Sequence, residues 1–355
     1  MTQLDRIPYA GTLPDSFFTI PSDTDEDPAL IAQLFQMEAD RNEIILYTDH
    51  ATIRLVGIFP TNSDEAYFGF LETVNDLTVN QQAFDLLEDD ARQRGRKTIV
   101  GPLNFSTFHA YRLRLTEAPS WGRFDREPAT PAYYPGLLAR LGFQVRSRFE
   151  SRMIHSQDIP IAYADKGQLL AAFAQFPFEV IPLNPDTWVR YETELIELVH
   201  QVFSENPAYK PIPEAQFRLF YNRRFAEKLC PHTSVLFRDR PSGQLVALNF
   251  SMPNYQSLTF APGDAPNFTR DYPRLTRRVL LVKTVGVHPA FRKQGLMLFI
   301  GAYGMLRFRD LYDDVLFCLM RADNFSTHFS NGLPHETAAY ALFEKRVDPP
   351  PTPSR

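Results

Sequence analysis

Residues 280–310, LLVKTVGVHPAFRKQGLMLFIGAYGMLRFRD, constrain the fold of this chain more than any other segment. They read as a nearly continuous apolar strand over 280–287, interrupted by Lys283, which passes through a short loop into a helix over 296–311. Another strand is expected over 314–320. A buried strand feeding a helix that returns to a second buried strand requires a sheet with helices layered on it, an α+β or α/β architecture. The loop 289–295 also sets successive backbone N–H groups at a helix N-terminus, where the positive end of the dipole favours a phosphate. Gly295 lets the backbone approach a bulky diphosphate, and Arg292 and Lys293 add positive charge at the rim.

One such unit does not use up the chain. At 355 residues, and with about 150 residues per domain, two compact cores are expected. The 30 Phe and 15 Tyr suit large core side chains, and they also suit the wall of a wide apolar pocket. A net charge of -5, with no basic run interleaved with aromatics, disfavours nucleic acid. Cys230 and Cys318 are far apart and match no metal-ligand spacing, so structural thiols in a reducing compartment are expected. No charged segment followed by an apolar one opens the chain, and no run of about 18 apolar residues occurs. A cytoplasmic protein without stable membrane insertion is the expectation.

Along the chain, residues 1–28 read as an extended arm and 29–156 as a first unit of alternating strands and helices. A polar stretch at 155–167 reads as a linker, and 168–347 as the second unit. The Pro-rich end, 348–355, reads as disordered or polyproline-like. Helices are expected over 80–96, 133–143, 185–203 and 214–228, and a hairpin over 234–253 turns at 241–243. The tetrapeptide NFST occurs at 104–107 and again at 324–327. Each copy follows an apolar strand that is preceded by an amphipathic helix, which points to duplication of one fold.

On these residues the second unit resembles the GNAT superfamily of N-acyltransferases. Its diphosphate signature is Gln or Arg, two residues, Gly, one residue, then Gly or Ala. Arg292, Gly295, the preceding strand and the His288-Pro289 turn match it, whereas Met297 stands where a small residue is usual. FGFLETVND, GPLNFSTFHAYRL and YYPGLLARLGF give the first unit a similar resemblance, but LTVNQQAF supplies no Arg-x-x-Gly loop. The resemblance implies two GNAT-like domains, each a mixed, mostly antiparallel sheet flanked by helices, with the coenzyme site in the second copy only. It implies acyl-CoA as co-substrate and no metal. The backbone of Val285, Gly286 and Val287 would lie along the pantetheine arm, with Val285 holding the thioester carbonyl. Arg292, Lys293, Gln294, Gly295, Leu296 and Met297 would hold the diphosphate, and Asn324 would border the coenzyme.

The proton-transfer groups are less defined by the resemblance. The Tyr usual on the helix after the fifth strand is missing from ADNFSTHFSNGLPHE, where Asn324, Ser326 and His328 stand instead. His328 as acid, Tyr340 in the last strand, and Glu205 in the loop between the first two helices are the candidates. Each has a plainer reading, as a surface His, a packed strand Tyr or a solvated loop charge. The expected acceptor is a primary amine on a small molecule or a peptide Lys- or ornithine-like side chain. The donor is acetyl-CoA, a longer acyl-CoA that would make the reaction a lipidation, or an acyl carrier protein. A catalytically silent acyl-CoA sensor or scaffold is the competing class.

Overall fold

A computed structural model describes residues 4–20, 27–128, 130–163, 166–173, 175, 177–206, 208–261 and 263–347. The tail 348–355 and part of the expected arm lie outside the described residues. Thirteen strands occur among those described. In chain order the first seven are β1 (Asp5–Pro8), β2 (Asn42–Thr48), β3 (Ile53–Pro60), β4 (Glu65–Thr73), β5 (Thr98–Gly101), β6 (Leu113–Arg114) and β7 (Gln144–His155). The rest are β8 (Phe178–Pro182), β9 (Val235–Asp239), β10 (Leu245–Pro253), β11 (Val279–Val287), β12 (Asp314–Arg321) and β13 (Glu336–Arg346).

The strands divide between two compact units that interleave along the chain. Unit 1 comprises Met1–Glu117, Pro128–Arg148 and Tyr340–Arg355, and unit 2 comprises Ala118–Glu127 and Phe149–Ala339. In unit 1, β1 to β4 form successive antiparallel pairs, β4 and β5 are parallel, and β13 closes antiparallel on β5. Unit 2 repeats this order, with β8 to β11 antiparallel in succession, β11 and β12 parallel, and β7 antiparallel on β12. The two halves of the chain therefore carry one fold twice. The final strand of each unit comes from the other half of the sequence, an arrangement that a division at residues 156 and 168 does not describe.

Local sequence explains the helices that matter for the site. The helix Leu77–Gln93 buries Ala83, Phe84, Leu87 and Ala91, spaced three and four apart, in the unit 1 core. The helix Pro185–Phe203 starts at Asn184, whose side chain accepts from Asp186 N and Thr187 N, and it buries Trp188, Tyr191, Leu195 and Val199 on one face. The expected helix over 214–228 is two pieces, Glu214–Phe220 and Arg223–Ala226. Asn222 breaks it, because its side chain accepts from Phe225 N at 3.1 Å and caps a new start.

Two expectations are corrected by packing. The arm is partly a strand, since β1 pairs with β2 and Arg6 makes a two-pronged contact to Asp90 at 2.7 Å. Of the stretch 155–167, residues 156–163 carry structure of their own: Ile159 is 1% exposed within the unit 2 core, and Tyr163 donates to the Phe329 carbonyl at 2.8 Å. Both segments looked polar, and a few buried anchors decide their place.

Buried carboxylates make stability acid-sensitive. Burial alone would raise the Asp90 carboxyl, but bonds from Arg6, Tyr47 and Arg94 hold it below the usual carboxylate range. Asp271 is held low chiefly by Arg270, with Asn267 N and Arg274 assisting. A carboxylate whose folded pKa is depressed contributes stability that is full above its unfolded pKa of about 3.9 and is lost as the pH falls through the folded value. The urea midpoint is therefore expected to drop below about pH 4. Asp271→Asn should flatten that drop; an unchanged acid limb in this variant would remove Asp271 from the account.

Candidate functional site

β11 changes character halfway along. Its parallel pairing with β12 covers Val279–Val282 opposite Asp314–Phe317 and then stops, although β11 runs to Val287 and β12 to Arg321. Irregularities in both strands fall at this level. On β11 Lys283 is an extra residue, because Phe250 faces Thr284 while Ser251 faces Val282. On β12 the register to β7 slips between Phe317 and Met320, where Leu319 has φ 55 and donates its N–H to Ser151 Oγ at 3.0 Å. Bulges bend strands and increase their twist, so the two strands splay apart.

The splay leaves a backbone edge without a strand partner among the described residues. His288 N donates to the Val246 carbonyl on β10 at 2.8 Å. With side-to-side alternation, Gly286 and Thr284 face β10 as well, and the peptide groups of Val285 and Val287 face the opening. The Val287 carbonyl accepts from Arg292 Nε at 3.3 Å.

From β11 the chain enters a 3-10 turn, Pro289–Gln294, with the His288 ring accepting from Ala290 N at 3.2 Å. Burial and the Arg292 charge lower the His288 pKa, which favours the neutral ring in that role. Gly295 then sits at φ 74, ψ 2, and the helix Leu296–Leu311 begins with no side-chain cap. Its first bond runs from Phe299 N to the Gly295 carbonyl. The N–H groups of Leu296, Met297 and Leu298 therefore precede the helical ladder and are available to an anion. The Met297 side chain packs against the unit 2 core, so its size is absorbed there while its N–H remains part of the turn.

Arg292 and Glu205, expected in different roles, meet each other. The Arg292 guanidinium is ion-paired to Glu205, and its Nη2 donates to the Val202 carbonyl at 3.1 Å. Glu205 is thus engaged in fastening the turn Pro289–Gln294 to the end of the helix Pro185–Phe203. The same helix presses on the strand, where a Cβ on Gly286 would lie 2.0 Å from Val202 Cγ1.

In unit 1 the corresponding places are filled by the chain itself. β4 pairs in parallel with β5 only from Glu65 to Tyr67. Beyond that, Leu103 N donates to the Phe68 carbonyl and Phe70 N donates to Asn104 Oδ1, both at 2.7 Å. The helix after β4 starts at Asp76, whose carboxylate accepts from Thr78 N at 2.8 Å. A carboxylate thus sits where unit 2 offers an open N-terminus, and an amide oxygen occupies the splay. In Asn104→Ala the buried Phe70 N–H would lose its acceptor, a loss of about 1–3 kcal/mol. Thermal melting should show it, and an unchanged midpoint would mean that Asn104 does not close this edge.

Solved structures share the fold. A tandem GNAT protein from the clavulanic acid biosynthesis pathway, without acetyl-CoA, matches at TM-score 0.52 and 12% identity, over 98% of this chain and 100% of that one. This is the tandem GNAT fold. A conserved protein of unknown function from Enterococcus faecalis V583, described as a probable N-acyltransferase, matches at TM-score 0.53 and 7% identity, over 98% and 73% of the two chains. No family-level sequence profile matches the chain, and neither does any curated protein. The GNAT fold expected from 282–297 is present in both units.

The remaining candidates take different settings. Tyr340 belongs to unit 1, where it is fully buried opposite Arg114 on β6. His328 is exposed on the 3-10 turn Phe325–Ser330, its ring stacked on Phe325 at 5.2 Å. Asn324 begins that turn, exposed and without a cap bond, unlike its counterpart Asn104. Among the described residues no group of three His, Cys, Asp or Glu side chains converges in a way that could hold a metal, and no helix is long and apolar enough to cross a membrane.

Two features escaped sequence reasoning. His200 Nδ1 is hydrogen-bonded to the Tyr209 hydroxyl, joining the helix Pro185–Phe203 to the loop that follows it. Burial lowers the His200 pKa, a bond from the Ile212 backbone opposes this, and burial pushes Tyr209 up to about 12. The second is a strap, Ala118–Glu127, that belongs to unit 2. Ser120 N donates to Glu336 at 2.8 Å, the Arg123 carbonyl accepts from Asn254 at 2.9 Å, and the Asp125 carbonyl accepts from the Lys283 ammonium. A Pro-dense loop carries no periodicity from which this course could be read.

Proposed function

We propose that unit 2 transfers an acyl group from acyl-CoA, or a related thioester, to a primary amine. The observation that carries this reading is the pairing of an open β11 edge with an uncapped helix N-terminus directly downstream, in the unit where no carboxylate caps that helix and where Asn324, the counterpart of Asn104, is exposed at a turn. The residues fit the donor in charge and shape. Leu296, Met297 and Leu298 offer N–H groups to a diphosphate, Gly295 keeps the approach clear of a side chain, and the peptide groups of Val285 and Val287 match an extended amide chain.

Bound at that edge, a thioester supplies an activated acyl carbon. The transfer forms a C–N bond and breaks the C–S bond, while the amine loses a proton and the departing sulfur gains one. An alkylamine with a pKa near about 10.4 needs help to react near neutrality. On this reading the N–H of Val285 steadies charge developing on the carbonyl oxygen, and the Arg292–Glu205 pair holds the turn in place.

Glu205 is engaged by Arg292 and the exposed His328 ring is stacked on Phe325, which favours a second reading, in which the chain binds acyl-CoA without turnover. Incubation with acyl-CoAs of graded length and a panel of amines, read by thiol release and product mass, separates the two. Turnover of any pair is expected for the enzyme, and binding with no turnover across the panel would overturn it. Preference for a long acyl-CoA over acetyl-CoA would identify a lipidating enzyme; a clear preference for acetyl-CoA would exclude one.

A further inference from the structure

The two NFST copies differ most in their phenylalanines. In unit 1 Phe105 is 3% exposed, with the Phe35 and Phe70 rings at centroid distances of 4.9 and 5.2 Å. In unit 2 the same position, Phe325, is 47% exposed, yet three contacts brace it. The His328 ring stacks on it at 5.2 Å and 28°, His328 Nδ1 donates to the Phe325 carbonyl at 3.1 Å, and Phe329 meets it edge-on at 6.3 Å. A ring held on one face by an imidazole and at its side by a second ring, and still half exposed, presents an open aromatic face to solvent.

Its place in the fold is set from two directions. β11 and β12 are parallel, so the end of β12 and the start of the helix Leu296–Leu311 lie at the same edge of the sheet. In open sheets ligands bind beyond the carboxyl ends of parallel strands. Phe325 follows Arg321, the last residue of β12, by four positions. Phe329 packs against the helix itself, where a Cβ on Gly301 would lie 2.8 Å from its ring. Gly301 is about 7.5 Å along the helix from Leu296, and Phe325 comes between the strand end and this contact. The exposed ring therefore stands at the end of the helix that offers its N–H groups. Leu298, in the first turn, is 51% exposed and adds a second apolar side chain there.

An aromatic face beside an anion site suits a purine nucleotide, whose base stacks while its phosphate takes N–H donors. In coenzyme A an adenine is joined through ribose to the diphosphate, whereas the phosphopantetheine arm of a carrier protein has no base. Resting on the coenzyme reading of the same site, we propose that Phe325, braced by His328, is the stacking platform for the adenine of the donor. The donor is then a free coenzyme A thioester rather than an arm carried on a protein, and His328 is a positioning residue for the ring.

Calorimetry of the full chain with coenzyme A and with 4′-phosphopantetheine, which lacks the nucleotide, tests this. Phe325→Ala and Phe325→Leu should weaken coenzyme A by about 5- to 100-fold, the loss of one base–aromatic stack, and change phosphopantetheine by less than about 2-fold. Phe325→Trp should keep the affinity for coenzyme A, and His328→Ala should lose part of it. The adenine ring protons should move upfield on binding to the unmodified protein and much less on binding to Phe325→Leu, a readout that a merely structural role would not move. Equal losses for both ligands, unchanged coenzyme A affinity in Phe325→Ala, or an adenine shift that survives Phe325→Leu would overturn the platform and leave the coenzyme reading standing. Tighter binding of phosphopantetheine than of coenzyme A would overturn the free-coenzyme donor. Failure of the unmodified chain to bind either ligand would overturn the coenzyme reading itself, and the platform with it.

Discussion

Gly295→Asp is expected to weaken coenzyme A binding by on the order of 100-fold, more than any other single change in the phosphate turn. Two effects combine. The residue sits at φ 74, where a side chain costs about 1–2 kcal/mol, and the new carboxylate would lie at the helix start as Asp76 does in unit 1. A like charge about 5 Å from a diphosphate costs about 3 kcal/mol at an effective dielectric near 20, reduced by salt. Gly295→Asn separates the terms, because Asn tolerates the left-handed region and brings no charge. Calorimetric titration should show a small loss for Asn and a large, salt-sensitive loss for Asp. Equal losses would mean that backbone shape, not anion binding, is what Gly295 supplies.

The second large effect concerns Gly286. A methyl group there would meet Val202 Cγ1 at 2.0 Å, well inside contact distance, so the helix Pro185–Phe203 or the strand must move. Overpacking of this kind costs about 1–3 kcal/mol, or roughly 2–12 °C in melting temperature if the 191-residue segment Phe149–Ala339 of unit 2 unfolds as one body. Because the Val202 carbonyl also holds Arg292, the coenzyme affinity of Gly286→Ala should fall together with its stability. Val202→Ala removes the colliding methyl. The double variant should recover most of the loss, with a coupling of at least about 1 kcal/mol in a double-mutant cycle. Additive losses would show that the two side chains do not meet.

What was legible in the sequence was local. The strand and helix expected over 280–287 and 296–311 are Val279–Val287 and Leu296–Leu311, because a nearly continuous apolar run and a glycine between the two elements leave few alternatives. The expected turn at 241–243 likewise contains Gly243 at φ 73. What was not legible depends on partners distant in sequence. Nothing in ETAAYALFEKR says that Phe343 will face Gly101, or that Tyr340 will end in unit 1. The strap, the anchoring of β1 and the Arg292–Glu205 pair are likewise set by tertiary contacts, and a loop charge shows no sign in sequence of which side chain it will meet.

NFST makes the same point from the other direction. The tetrapeptide marks equivalent places in both units, yet Asn104 is 9% exposed and bonded to β4 while Asn324 is exposed at a turn. Identical residues take different roles because one splay is closed by its own chain and the other is left open. The absence of a phosphate loop in LTVNQQAF was visible; that Asp76 and Asn104 fill the vacated places was not.

Hydrogen exchange of the free and coenzyme A-saturated protein tests the central claim most directly, because the two splayed strands are internal controls for each other. Slower exchange is predicted for peptides covering 285–298, with no change over 68–80. Protection over 68–80, or none over 285–298 at saturation, would contradict the assignment of the coenzyme site to unit 2.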